Sequence, residues 1–407
     1  MNTTAIALRI ATAVVLAIAA STVHADAITD WNSKATDIVA ASGVVTPVAN
    51  RTLAMAQVAA FDAVNAISRR YATTGRPALS AAPGASIDAA VAAAMHGTLS
   101  KLLPQQLVAI EAAYQAALTT VPDAAARGAG IDVGERAAAA ILAMRSSDGA
   151  ISPDNYVPFT AAGVYVPTTS PAVPHWGQRK PWVLSSGAQF RPAAPPALSS
   201  ALWARDYNES KAIGGKNSTQ RTAAQTDIAR FWEATQPVIY YPVARAVAQQ
   251  PGRDVTQNAR LLAAVAMAID DAVIAVFDAK YIYNFWRPVT AIRNGDKDSN
   301  DATERDPTWT PFIDTPMHPE YPCAHCIVSA ALGAVLQVEI GDGPVPLLSS
   351  TSPTAPGVTR TWSSIAEFTQ EVADARIYDG VHFRNSTEVG SAMGRKIGAM
   401  VAAKVLL

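Results

Sequence analysis

The sequence predicts an all-α protein: a helical bundle interrupted by one long central loop. Three observations lead there. The N-terminal half is rich in alanine and repeats its apolar residues at helical spacing. Alternating runs and β-branched clusters, the marks of strands, are weak throughout. Residues 147–200 concentrate Pro, Gly, Ser and Thr, which is loop composition.

Taken from the start, residues 1–25 read as an export signal. Arg9 is the basic residue of a short leading region, an apolar run covers residues 10–20, and Val23-His24-Ala25 fits a small-x-small cleavage pattern. The run is short for a bilayer span. The expectation is a secreted or periplasmic protein starting at Asp26, with no membrane span and a single α-helical domain over residues 26–407.

Helices are expected over residues 51–69, 87–103, 104–118 and 131–144. In the first of these Leu53, Ala56, Ala60, Val64 and Ile67 form one stripe. Pro104 suits a first helical turn. The central loop follows, with a turn cluster at Pro192, Pro195 and Pro196; its Trp176, Trp182 and Phe190 imply that it packs on the bundle. Further helices are expected over residues 218–232, 255–277, 324–338 and 387–406. Ser364 with Glu367 has the spacing of a capping box that starts a helix ahead of Arg376.

Of the 407 residues, half are hydrophobic and 16% are charged, enough for a sizeable core and wrong for a disordered chain. The formal net charge is −1, without a basic tail, so nucleic acid is excluded as a partner class.

Chemistry concentrates in three segments. The first runs from Lys280 to Arg287-Pro288. Seven residues are two helical turns, so on one helix both cationic heads share a face. Phe277, Tyr281, Tyr283, Phe285 and Trp286 surround them, and cations amid aromatics are usually paired with an anion. The second is Tyr321-Pro322-Cys323-Ala324-His325-Cys326, ahead of an apolar run. Pro322 can open a helix whose free N–H groups bind anions. The third is Arg376-Ile-Tyr-Asp-Gly-Val-His382. Six residues do not return to one helical face, so a turn at Asp379-Gly380 is needed. No carboxylate cluster is evident among the three. The set suits a multiply charged oxyanion better than a divalent metal. Cys323 and Cys326 are either a local disulfide or two thiols.

These segments resemble the motif trio of the type 2 phosphatidic acid phosphatase and vanadium haloperoxidase superfamily: Lys-x6-Arg-Pro, Pro-Ser-Gly-His and Ser-Arg-x5-His. Here they read Lys280-x6-Arg287-Pro288, Pro322-Cys323-Ala324-His325 and Ala375-Arg376-x5-His382. Trp31-Asn32, Arg51 with Phe61-Asp62-Ala63, and Phe231-Trp232 also look like the soluble haloperoxidase-like branch. The resemblance covers most of the chain after residue 25 and is strongest over residues 261–390. It implies a helical bundle of the haloperoxidase and acid phosphatase type.

By resemblance, Lys280, Arg287 and Arg376 neutralise the anion's oxygens, aided by Cys323 and Ala324. His382 bonds the central atom, as a ligand of vanadate or as the nucleophile that forms a phosphohistidine. His325 is the acid–base partner. The implied cofactor is vanadate, which polarises peroxide for attack by halide; a phosphatase needs none. The implied substrates are halide and hydrogen peroxide, or a phosphate ester. Members of this family often associate, so a homo-oligomer is also an expectation. His318, five residues before Cys323, and Phe277 are expected to border the same pocket; His318 can equally be a loop histidine between Pro316 and Pro319.

Cys323, Ala324 and Ala375 stand where the motifs have Ser, Gly and Ser. A thiol is a weaker donor than a hydroxyl, and a disulfide sulfur is none. The haloperoxidase reading leads, with a secreted phosphatase acting on phosphomonoesters as the alternative, because vanadate and phosphate are near-isosteres. A thiol-redox role for the CxxC pair needs a βαβ context, whereas its flanks read as helical. A non-catalytic anion-binding protein is a fourth reading.

Overall fold

The computed structural model describes residues 26–72 and 78–407; the expected export signal lies outside them. Among the described residues the chain forms thirteen α-helices. The N-terminal group is α1 (Ala27–Ala41), α2 (Thr46–Ser68), α3 (Ile87–Leu102), α4 (Leu107–Thr119) and α5 (Ala124–Met144). After the central loop come α6 (Ala201–Ile213), α7 (Ala223–Trp232), α8 (Tyr241–Ala248), α9 (Val255–Tyr283) and α10 (Pro288–Arg293). The last group is α11 (Ala324–Ile340), α12 (Ile365–Tyr378) and α13 (Arg384–Val405). One antiparallel hairpin, β1 (Leu348–Ser352) with β2 (Ala355–Trp362), stands between α11 and α12. The all-α expectation holds.

Helix α9 is the axis. It packs on α2, α11 and α13, and it is buried almost continuously from Asn258 to Lys280. A helix buried on every side belongs to the core, so its polar side chains Asp270, Asp271 and Lys280 must find partners there. Asp254 caps its N-terminus in a capping box with Gln257. Helix α13 lies close along α11 because Gly390, Gly394 and Gly398 recur every fourth residue on the shared face. A Cβ at Gly394 would sit 2.3 Å from the Ile327 carbonyl oxygen. That close approach holds the N-terminus of α11 beside the segment leading into α13.

No α-helix forms between Met144 and Ala201, and the central loop is nonetheless ordered. Two adjacent carboxylates of α9 explain why. Asp270 accepts from Arg179 at 2.9 Å and from the Trp182 indole at 2.9 Å. Asp271 accepts the backbone N–H groups of Trp182, Val183 and Leu184 at 2.6, 2.8 and 3.0 Å. Arg179 also bonds Asp148 at 2.8 Å, which in turn pairs with Arg51. The loop's backbone donors and the Asp270 and Asp271 carboxylates are thus paired together, with only the Arg179 Nε of this group left without a partner among the described residues.

The differences from expectation are local. Helix α5 begins at Ala124, where Asp123 caps it. Helices α1, α6, α8 and α10 and the hairpin have no counterpart in the sequence reading. Ser364 does cap α12, but the Glu367 carboxylate takes the N–H of Ser363, one residue before the cap.

Candidate anion site

Lys280 occupies the last turn of α9 and is fully buried. Asn284 then turns left-handed at φ 47°, ending the helix. Arg287 is therefore not on the same helix; it is the extended N-cap of α10. The two cations still meet, through a strap at residues 318–320. Lys280 Nζ donates to the carbonyls of Pro319 and Glu320, both at 2.8 Å. Arg287 Nε donates to the His318 carbonyl at 2.9 Å, and Nη2 to His318 Nδ1 at 3.0 Å.

In the second segment Cys323, not Pro322, is the N-cap of α11. Cys323 and Cys326 form a disulfide, and Cys323 Sγ accepts the Cys326 N–H. The Cys323 side chain therefore has no proton to give an anion, and that part of its expected role falls away. Ala324 has helical backbone, so replacing the motif glycine costs no strain. Among the described residues the N–H groups of Ala324 and His325 have no hydrogen-bond partner, which leaves a helix N-terminus open.

The third segment turns as expected. Arg376 lies in the last turn of α12, and Gly380 at φ +74° brings the chain round to His382. Only glycine fits there, since a Cβ would meet the Gly214 carbonyl oxygen at 2.2 Å. Arg376 Nη1 donates to Asp379 at 2.5 Å and to the Trp232 carbonyl at 2.7 Å. Its Nε is buried without a partner.

Hydrogen-bond chemistry settles the imidazole protons. Carbonyls only accept and guanidinium groups only donate. His325 Nε2 lies 3.0 Å from the Ala234 carbonyl, so the proton is on Nε2 and the lone pair on Nδ1. His382 Nδ1 lies 2.7 Å from Glu320 Oε1, and its Nε2 lies 3.3 Å from Arg287 Nη1. Its proton is therefore on Nδ1 and its lone pair on Nε2. His318 Nδ1 faces both Arg287 and the Pro319 carbonyl. The guanidinium decides, and Nε2 carries that proton.

Burial, reinforced by neighbouring cations, holds all three imidazoles well below their ordinary value. They are neutral at pH 7. Burial also lowers Lys280, with Arg287 adding to the effect, and brings Arg287 down to about 10. Burial raises Glu320 and Asp379 to about 7 against the pull of their cationic neighbours. The buried cations Lys280, Arg287 and Arg376 favour an anion in their midst.

A cavity of about 980 Å³ opens onto the site. Phe277, His318, Ala324, His325, Arg376 and His382 line it. Lys280 and Arg287 do not line it: Lys280 gives two protons to carbonyls, and Arg287 divides its protons between two carbonyls and two imidazoles. Arg376 has the most to offer: its Nε and Nη2 protons are unclaimed among the described residues. Glu320 and Asp379 are the residues that sequence reasoning missed, and they qualify the absence of a carboxylate cluster. Each sits within a motif region, Glu320 two residues before Pro322 and Asp379 in the required turn.

The chain is similar to known proteins in sequence and in fold. Residues 260–406 match the family described as the VCPO second helical-bundle domain. A vanadium chloroperoxidase from Curvularia inaequalis is 27% identical over 261 residues, which cover 47% of this chain and 42% of that protein. The chain thus spans less than half the length of that relative. A structure described as the first bacterial vanadium-dependent iodoperoxidase superposes with TM-score 0.79 at 25% identity, covering 93% of this chain and 96% of the other. A holo-type bacterial vanadium-dependent chloroperoxidase gives TM-score 0.72 at 16% identity, covering 89% and 93%.

Proposed function

From the premise that this chain is a relative of the vanadium haloperoxidases and shares their helical fold, we propose that it oxidises halide with hydrogen peroxide at a His382-bound vanadate. The observation that carries this reading is the neutral His382 imidazole, whose Nε2 lone pair faces the Arg287 guanidinium at 3.3 Å. A tetrahedral oxyanion fits the donor set. Arg376 offers unclaimed guanidinium protons, α11 offers two N–H groups, and Lys280 and Arg287 add buried charge.

Vanadate, when bound, supplies Lewis acidity toward hydrogen peroxide. The protein's own residues do the rest. His382 Nε2 would hold the central atom, and Arg376 would donate to its oxygens. His325 Nδ1 would accept a proton from hydrogen peroxide and hand it on to the water that is formed. The net change is halide, peroxide and a proton giving hypohalous acid and water. The Nε2 proton of His325 is given to the Ala234 carbonyl, which leaves Nδ1 free to take up a proton. The likeness to vanadium haloperoxidases supports this reading over phosphomonoester hydrolysis. We place the enzyme outside the cytoplasm, on the export pattern of residues 1–25.

The test is bromination of a diketone reporter with bromide and hydrogen peroxide, with and without orthovanadate. Halogenation that depends on vanadate and disappears in His382→Ala is the expected result. Phosphomonoester hydrolysis without halogenation would instead establish the phosphatase reading.

A further inference from the structure

Glu320 ties the three segments together. It is fully buried and does not line the cavity. Its Oε1 accepts from His382 Nδ1 at 2.7 Å and from the Phe383 N–H at 3.0 Å. Its carbonyl accepts from Lys280 Nζ at 2.8 Å. Its N–H donates to the Phe285 carbonyl at 2.9 Å, just beyond the end of α9. One residue beside the second segment thus bonds both others.

We propose that Glu320 is the positioning residue of this site: its carboxylate holds the His382 proton on Nδ1 and so keeps the lone pair on Nε2, while its backbone sets Lys280 and the end of α9 in register. A neutral imidazole has two tautomers and two ring orientations, and only one combination presents a lone pair at Nε2 with this face inward. The carboxylate at Nδ1, at 2.7 Å, selects that combination with the longer Arg287 contact of 3.3 Å at Nε2, and it makes Nε2 more basic. A purely structural tie would need only the Phe383 N–H. The role rests on the proposed use of His382 as the anion's ligand. Its distance from the cavity makes Glu320 a support for His382 rather than a group that touches substrate.

Two substitutions separate charge from geometry. Glu320→Gln retains an oxygen that can accept both N–H groups and removes only the charge. Glu320→Ala removes both bonds. Two readouts apply to the full chain without halide: the ¹⁵N shifts of the His382 ring, and the affinity for orthovanadate and for inorganic phosphate by calorimetry. The expected parent spectrum shows the proton on Nδ1. Glu320→Gln keeps that pattern and binds either oxyanion several-fold more weakly. Glu320→Ala gives mixed tautomers and loses about 10–100-fold in affinity, the usual cost of removing a carboxylate behind a ligating histidine. A folded Glu320→Ala protein with Nδ1 still the only protonated nitrogen, or with unchanged affinity, overturns the proposal. If that variant does not fold, Glu320→Gln decides: affinity equal to the parent overturns it. A parent that binds neither oxyanion sinks the functional reading instead, and the tautomer readout still judges Glu320.

Discussion

Arg287 Nη1 stands 3.3 Å from His382 Nε2, joining residues 95 positions apart in the chain. The same nitrogen donates to the Val381 carbonyl at 2.8 Å. The first and third segments are therefore locked before any anion arrives, and the lone pair of His382 already faces positive charge. Such preorganisation spares the site the cost of ordering itself around its ligand.

Arg287→Lys keeps the charge and loses this fork. A lysine ammonium cannot reach the His318 and Val381 carbonyls and both imidazoles at once. Losing charge-assisted hydrogen bonds of about 1.5–3 kcal/mol predicts oxyanion binding weaker by roughly 10- to 100-fold. Titration calorimetry with orthovanadate checks it. Equal affinity in the variant would show that only charge matters at this position.

Asp379 balances Arg376 inside the protein, and both are almost fully buried. Removing one partner of a buried pair leaves an uncompensated charge. Asp379→Ala is expected to cost about 3–5 kcal/mol of stability. Denaturant unfolding measures it, and a loss below about 1 kcal/mol would contradict the pairing.

Cys323 stands where the motif has serine, and its disulfide to Cys326 leaves no side-chain donor at that position. The double change Cys323→Ser with Cys326→Ala restores it at the N-cap, where serine is favoured. One added hydrogen bond to a charged ligand predicts oxyanion affinity up to about tenfold tighter. Weaker binding in a folded variant would mean that the disulfide itself shapes the anion site.

Asp271 gives a pH signature. Burial, the largest influence, raises its carboxyl to about 6 despite three N–H donors, with the Asp270 charge adding to the rise. The folded protein then holds this proton more tightly than the unfolded chain. Its contribution is fully present below about pH 4 and is lost as pH rises through about 6. The size is about 3 kcal/mol, since each pKa unit is worth about 1.4 kcal/mol. The stability difference between the parent and Asp271→Asn should fall across that window. Parallel curves would refute the assignment.

Much of this was legible in the sequence, and the exceptions have physical causes. Helices α2, α3, α9, α11 and α13 announce themselves because apolar and small residues recur at helical spacing. Helix α6 hides its buried Trp203, Tyr207 and Ser210 among Arg205, Asn208 and Glu209. Helix α8 has eight residues, too few to establish a period. The hairpin is built from serine and threonine, without the apolar alternation that marks a strand. Lys280, Arg287, His325, Arg376 and His382 were all recognisable from motif spacing, and the structure gathers them, two of them outside the cavity lining. Glu320 and Asp379 were not, because a carboxylate beside a proline or in a turn reads as solvated loop. Only folding reveals that each faces a buried partner.

The central claim is that an oxyanion binds at His382 Nε2, and crystals soaked in orthovanadate test it most directly. Anomalous diffraction at the vanadium edge locates the metal without reference to activity. The account predicts one strong peak at bonding distance from His382 Nε2, between Arg376 and the first turn of α11. A peak elsewhere, or none at a concentration that saturates binding in solution, would contradict it.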